Sequence, residues 1–170
     1  MIEEKSVQTV YLGLGCNLGN RLESLEKAIL MLGEIGEVVS KSKIYESPAW
    51  GYVDERAYLN MCCALQTKVG LEELHQRTLE IEVALGRETS KRKQGEPFRP
   101  RMIDIDILFF GDEVIETDSL TIPHSQLHLR NFVLLPMVDI APEYKHPLLG
   151  QSMLELCFES KDNSEPVQLS

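Results

Sequence analysis

The chain has 170 residues, 43% of them hydrophobic, and a formal net charge of −10. That is room for one domain with a real apolar core, and too apolar a composition for disorder. An acidic surface disfavours nucleic acid and anionic lipid as partners, no run reaches the ~18 apolar residues of a membrane span, and Met1 to Gln8 lacks the charged-then-apolar pattern of a signal peptide.

Thr9 to Gly15 is an apolar, β-forming run that ends in glycines and predicts a buried strand. Asn20 and Glu23 have capping-box spacing, and Leu22, Leu25, Ile29 and Leu32 follow at helical intervals up to Gly33. Val38 to Glu46 predicts a second strand, closed by Ser47 and Pro48. Ala49 to Arg56 predicts a loop and Tyr58 to Val69 a third strand. Leu71, Leu74, Thr78, Ile81 and Leu85 form one face of a second helix, stopped by Gly86. Arg87 to Pro100 is charged and aperiodic and predicts a mobile loop. Met102 to Phe110 is a fourth strand, which Gly111 and Asp112 turn toward Glu113 to Ile115. Short helices are expected around Phe132 to Ile140 and Ser152 to Phe158.

Strand, helix, strand, strand, helix, strand is the ferredoxin-like βαββαβ order, an α+β fold with an antiparallel sheet and, here, extra C-terminal helices. The expected domain is 1–170, with 1–8 and 159–170 as frayed tails. Cys16, Cys62, Cys63 and Cys157 contain no CxxC pair and no zinc spacing, so they are expected to be reduced thiols of a cytoplasmic protein.

The most informative stretch is Arg101 to Leu108. Residues i and i+2 of a strand share a face, so Asp104 and Asp106 point one way while Ile103, Ile105 and Ile107 point into the core. Two adjacent carboxylates repel unless a cation sits between them. Magnesium takes one or two carboxylates and completes its shell with water and phosphate oxygens, and two such ions can clamp a phosphoryl group in flight. The loop that leads into the pair supplies Arg87, Lys91, Arg92, Lys93, Arg99 and Arg101 against Glu88 and Glu96, a net +4 inside an acidic chain. Cations of this kind neutralise phosphate charge as a bond breaks.

Other signals lead away. Gly13, Gly15 and Gly19 are spaced G-x-G-x-x-x-G, one residue too long for a dinucleotide fingerprint, and there is no P-loop and no kinase motif set. On the residues alone, three readings stand. They are a magnesium-dependent transferase acting on a small molecule, another nucleotidyl transferase, and a non-catalytic nucleotide- or metabolite-binding module. A polynucleotide acceptor predicts a basic surface, which this chain lacks, and a pure binding module has no need of Asp104 and Asp106 beside Arg101.

Taken in order, several short stretches resemble the 6-hydroxymethyl-7,8-dihydropterin pyrophosphokinases of folate biosynthesis. They are Leu14 to Gly19, Tyr45 to Pro48, Tyr58 to Asn60, Glu82 with Gly86 and Arg87, Pro100 to Leu108, Pro123 and His124, and Arg130 with Phe132. The resemblance runs from about Val10 to Gly150. It implies transfer of pyrophosphate from ATP to the pterin hydroxymethyl group, with release of AMP. It also implies two magnesium ions on Asp104 and Asp106. Arg87 and Arg101 join these as catalytic residues. The nucleotide falls to Glu82, Arg87, Arg101, the backbone of Ile107, His124 and Arg130. The pterin falls to Ser47, Pro48, Trp50, Tyr58, Asn60, Phe98 and Phe132, with Asn60 reading the ring edge and Tyr58 and Phe132 as aromatic walls. Lys91 or Arg92 would be loop contacts. ATP and the pterin are the expected partners of a monomer. The sequence departs from the family pattern at Cys16, in place of a serine, at Arg99, in place of a small residue, and at Ser125, in a position sometimes aromatic.

Overall fold

The computed structural model describes residues 5–89 and 93–170, so Lys91 and Arg92 lie outside the described residues. The first strand, β1 (Gln8–Cys16), leads into α1 (Arg21–Leu32). Asn20 starts the helix by accepting a hydrogen bond from the Glu23 backbone N–H at 3.2 Å. The expected second strand is divided into β2 (Glu37–Lys41) and β3 (Tyr45–Ser47). Both lie on the same edge of β4 (Tyr58–Thr67), and the break falls where the Ser42 hydroxyl accepts from the Cys62 N–H at 2.9 Å. A side chain there does the work of a ladder carbonyl, and the backbone is released to turn. Next come α2 (Leu71–Ala84) and β5 (Asp104–Phe110), which starts two residues later than its apolar pattern suggests.

Every strand pairing is antiparallel, and the main sheet runs β5-β1-β4-β3 with β2 beside β3 on β4. One face is closed by α1 and α2. Leu12 and Leu14 of β1, Leu59 and Leu65 of β4, and Ile105 and Ile107 of β5 pack there on Leu25, Ala28, Leu74 and Ile81. The opposite face is covered at one end only. There Tyr11, Cys62, Leu108 and Phe109 meet Val133, Leu134 and Met137 of α3 (Asn131–Ile140) and Met153 and Leu156 of α4 (Met153–Glu159). The uncovered end of that face becomes a cleft. Between β5 and α3, the short β6 (Ile115–Glu116) and β7 (Thr121–Ile122) form a separate hairpin.

The C-terminal segment is not a frayed tail. Its β8 (Val167–Gln168) adds a strand to the free edge of β3, and Asp162 accepts from the Asn131 N–H at 2.8 Å. An unpaired β3 edge offers backbone groups that a following segment can satisfy, and that need outweighs the polar composition of the tail. Cys62 and Cys63 point to opposite faces, as alternation requires, and all four thiols are free. Burial pushes Cys16 and Cys63 up to about 12, so these are packing residues rather than nucleophiles.

Candidate active site

The uncovered sheet face is built by register. Gly15 lies opposite Asp104 on one side and Asn60 on the other, and Gly13 lies between Asp106 and Cys62. All these residues share a face, with two glycines at the centre, so the middle of the sheet carries no side chains. The result is a cavity of about 190 Å³ floored by Gly13 and Gly15. Ser47, Pro48, Trp50, Tyr58, Asn60, Phe98 and Phe132 all line it, and so do Arg101, Asp104, Asp106 and Arg130. The structure therefore brings together every residue that the sequence reading assigned to the ring-binding end, and joins them to the acidic pair.

Asn60 is 4% exposed and donates through Nδ2 to the Ser47 hydroxyl at 2.9 Å, which fixes its amide on the cavity wall. Tyr52, which the sequence reading passed over, stacks on Phe98 at 4.4 Å between centroids and 14° between planes. Its hydroxyl is hydrogen-bonded to that of Tyr58. Burial and this partner hold the Tyr58 phenol above its ordinary range. The Arg130 guanidinium sits over Trp50 at 4.7 Å and over Phe132 at 5.6 Å, cation on π-face. The only sequence signal for Tyr52 was an aromatic residue next to Gly51 in a loop.

The two aspartates behave as the alternation argument requires. Both carboxyls are pushed above the usual range, chiefly by burial, and Asp104 also by the charge of Asp106. Arg101 and Arg87 oppose the shift at both, and Arg130 opposes it at Asp106. Arg87 donates to Asp104 Oδ1 at 3.2 Å and is ion-paired with Glu82. Glu82 is only 2% exposed, and its Oε1 accepts from the Ile105 N–H at 2.7 Å, which satisfies a donor on the outer edge of β5. Burial pushes this carboxyl up to about 7. Glu82, Arg87 and Asp104 thus form one chain of contacts from α2 to the sheet.

Arg101 is held by its backbone. Its N–H donates to Asn17 Oδ1 at 2.7 Å, and its carbonyl accepts from the N–H groups of Asn17 and Leu18 at 2.9 and 3.1 Å. The Asn17 amide also reaches Asp54 Oδ2 at 3.2 Å, so the turn after β1 ties the loop before β4 to the entrance of β5. At the start of α1, Cys16 does not leave its turn loose, because its thiol donates to the Arg21 carbonyl at 3.3 Å. Arg99 bonds Glu88 at 2.9 Å and Glu96 at 3.3 Å and lines the wall beside Arg101.

Two further cavities adjoin the first. Glu82, Arg87, Arg99 and Arg101 line one of about 720 Å³ next to the end of α2. Ile107, His124, Ser125 and Asp106 line the other, of about 350 Å³, on the outer side of β5. Asp106 therefore borders both the aromatic cavity and the one beside Ile107. His124 accepts from the Gln126 N–H through Nδ1 at 3.2 Å, which leaves its Nε2–H as a donor. Burial, with a smaller contribution from Arg130, brings this imidazole down to about 4.

A ferredoxin-like sheet whose open face carries paired carboxylates, surrounding arginines and an adjoining aromatic cavity defines a class, the α+β transferases that handle phosphate groups. Residues 11–142 match the family model of 7,8-dihydro-6-hydroxymethylpterin-pyrophosphokinase, and the chain belongs to that family. It is 37% identical over 158 residues to the 2-amino-4-hydroxy-6-hydroxymethyldihydropteridine pyrophosphokinase of Aquifex aeolicus, covering 93% of this chain and 94% of that one. The protein of the same name from Synechocystis is 38% identical over 146 residues, covering 85% of this chain and 72% of the relative. The fold is also that of the Plasmodium falciparum HPPK-DHPS crystal structure, at a TM-score of 0.71 and 18% identity. That match covers 93% of this chain, which spans 46% of the solved one.

Proposed function

We propose that this protein transfers the pyrophosphoryl group of ATP to the hydroxymethyl group of 6-hydroxymethyl-7,8-dihydropterin, releasing AMP, in folate biosynthesis. Family membership and the named relatives support the reaction. The observation that carries the residue assignments is that Asp106 borders two cavities at once, one walled by aromatics and one beside Ile107 and His124. A triphosphate that starts in the second cavity and crosses the aspartates brings its β-phosphorus to the mouth of the first.

In this reading the pterin lies between Tyr58 and Phe132, where offset stacking suits a flat ring. Asn60 offers the ring edge a donor and an acceptor, in an orientation set by Ser47. Ser47, Pro48, Trp50 and Phe98 complete the wall. The backbone of Ile107 faces the adenine, and the Nε2–H of neutral His124 donates to phosphate. Arg130, Arg101 and Arg87 supply positive charge along the polyphosphate, and Glu82 holds Arg87 in place. The hydroxymethyl oxygen forms a bond to the β-phosphorus as the bond to the oxygen bridging to the α-phosphorus breaks. The electron pair leaves with AMP, and the hydroxyl proton is released.

The donor set fits magnesium. Asp104 and Asp106 are hard oxygen ligands on one face whose mutual repulsion calls for a cation, and among the described residues no cluster of three or more His, Cys, Asp or Glu side chains competes for one. These two aspartates would hold the magnesium ions, which would withdraw charge from the phosphate oxygens. Catalysis then rests on alignment and charge neutralisation. The test mixes the protein with ATP, magnesium and the pterin and identifies the nucleotide product. AMP is expected in step with pyrophosphorylated pterin. ADP, or no pterin-dependent turnover, overturns the assignment.

A further inference from the structure

Arg130 and Phe132 flank the first residue of α3, and both point their side chains into the aromatic cavity. A helix start needs its first N–H groups satisfied, usually by the side chain of the residue just before it. That residue is Arg130, which has only donors to offer and makes no cap hydrogen bond. Its guanidinium instead lies over Trp50 and Phe132 and donates to Gln126. The missing cap comes from 31 residues downstream. Asp162 Oδ2 accepts from the Asn131 N–H at 2.8 Å, and a carboxylate at a helix N-terminus is also favoured by the helix dipole.

The contact is reciprocal and well braced. Asn131 Nδ2 donates to the carbonyls of Asp162 and Ser164, both at 3.0 Å. Asp162 Oδ1 accepts from the Ser164 N–H at 2.9 Å, so both of its oxygens are used. Beyond this turn the chain pairs with β3 as β8, and the Leu169 N–H donates to the Ile44 carbonyl at 2.9 Å. β3 carries Ser47, the partner of Asn60. Residues 160–169 therefore contact both α3 and β3, two elements that line the cavity, while lying outside the span of the family match, which ends at residue 142.

We infer that Asp162 is a positioning residue: by capping α3 from the C-terminal segment, it supplies the acceptor that the Arg130 guanidinium lacks and holds Arg130 and Phe132 at the cavity. The inference rests on the roles given to those two residues under Proposed function. Asp162→Ala is expected to lower kcat/KM for the pterin by about five- to tenfold, the size of a lost helix cap. Asp162→Asn, which keeps the acceptor, recovers most of the loss. Trp50 is the only tryptophan of the chain and lies under Arg130, so its emission reports the guanidinium directly. Asp162→Ala shifts that emission in the folded protein, and the shift disappears in an Arg130→Ala background. If Asp162→Ala does not fold, Asp162→Ser, with a shorter cap, gives the same readouts at smaller size. An emission shift that is equal with and without Arg130 overturns the inference, as does an Asp162→Ala enzyme with wild-type pterin kinetics. An Arg130→Ala enzyme with full activity overturns instead the role given to Arg130.

Discussion

Gly15 is the sharpest test of how the cleft is made. A Cβ built there would stand 2.9 Å from Asn60 Oδ1, closer than a methyl group approaches an oxygen, and 3.8 Å from the Leu59 carbonyl. The backbone of β4 cannot yield, so in Gly15→Ala the Asn60 amide must move by a few tenths of an ångström. It has little room, because Nδ2 is already held by Ser47 at 2.9 Å. If the displaced amide loses the two hydrogen bonds proposed for it at the ring edge, at ~0.5–1.5 kcal/mol each, kcat/KM for the pterin falls about 5- to 150-fold. Overpacking costs the fold about 1–3 kcal/mol, and ATP affinity is unchanged. Gly13→Ala is the comparison: the atoms nearest its Cβ would be those of the Leu108 side chain at 3.4 to 3.7 Å, so it narrows the cavity floor without displacing Asn60, and its loss of pterin kcat/KM is expected to be smaller than that of Gly15→Ala. AMP release against pterin concentration at saturating ATP, with calorimetry for ATP and denaturant melts, separates these effects. A folded Gly15→Ala enzyme with an unaltered pterin KM refutes the reasoning.

Asp104→Asn and Asp106→Asn should each reduce turnover by at least about 10²-fold, the scale of losing one preorganised charge at a transition state. In the ligand-free protein both should melt higher than wild type at pH 7.5. A carboxyl held above its unfolded pKa costs stability once ionised, so the advantage shrinks as pH falls into the carboxylate range. Equal melting temperatures would show that neither carboxyl is held above its ordinary range in the folded protein. Arg101→Ala should lower kcat much more than it weakens ATP binding, because its charge matters most as the bond breaks. A change in affinity alone contradicts that role. His124, held down to about 4 against an ordinary 6.5, supports the ligand-free fold fully above pH 6.5 and progressively less as pH falls toward 4. Melts at pH 7.5 and 5.0 should therefore show a larger loss for wild type than for His124→Gln, and parallel losses would count against a buried neutral imidazole.

Alternation alone placed Asp104 and Asp106 on one face and Ile103, Ile105 and Ile107 on the other, because a strand offers a side chain only two directions. Helical spacing likewise identified Leu74, Thr78 and Ile81 as the buried stripe of α2. The order of strands and helices was enough to predict the sheet, since short connections leave few topologies open. That Asn60, Tyr58 and Phe132 would line one cavity was suggested only by resemblance, as nothing in their local pattern separates a cavity wall from ordinary packing, and the ring-binding role proposed for them rests on the same ground.

Some features arise only when distant segments meet. Gly13 and Gly15, unhelpful as a nucleotide fingerprint, became the floor of a cavity once β4 and β5 were paired on either side of them. Tyr52 gained its stack on Phe98, and Asn17 its grip on Arg101, through contacts that skip 46 and 84 positions. The polar C-terminus looked unstructured because its partners, the bare edge of β3 and the uncapped start of α3, are backbone groups whose needs appear only after folding. Local sequence sets the direction of each side chain and the period of each element. Which unmet hydrogen-bonding groups lie within reach of one another is a property of the assembled sheet.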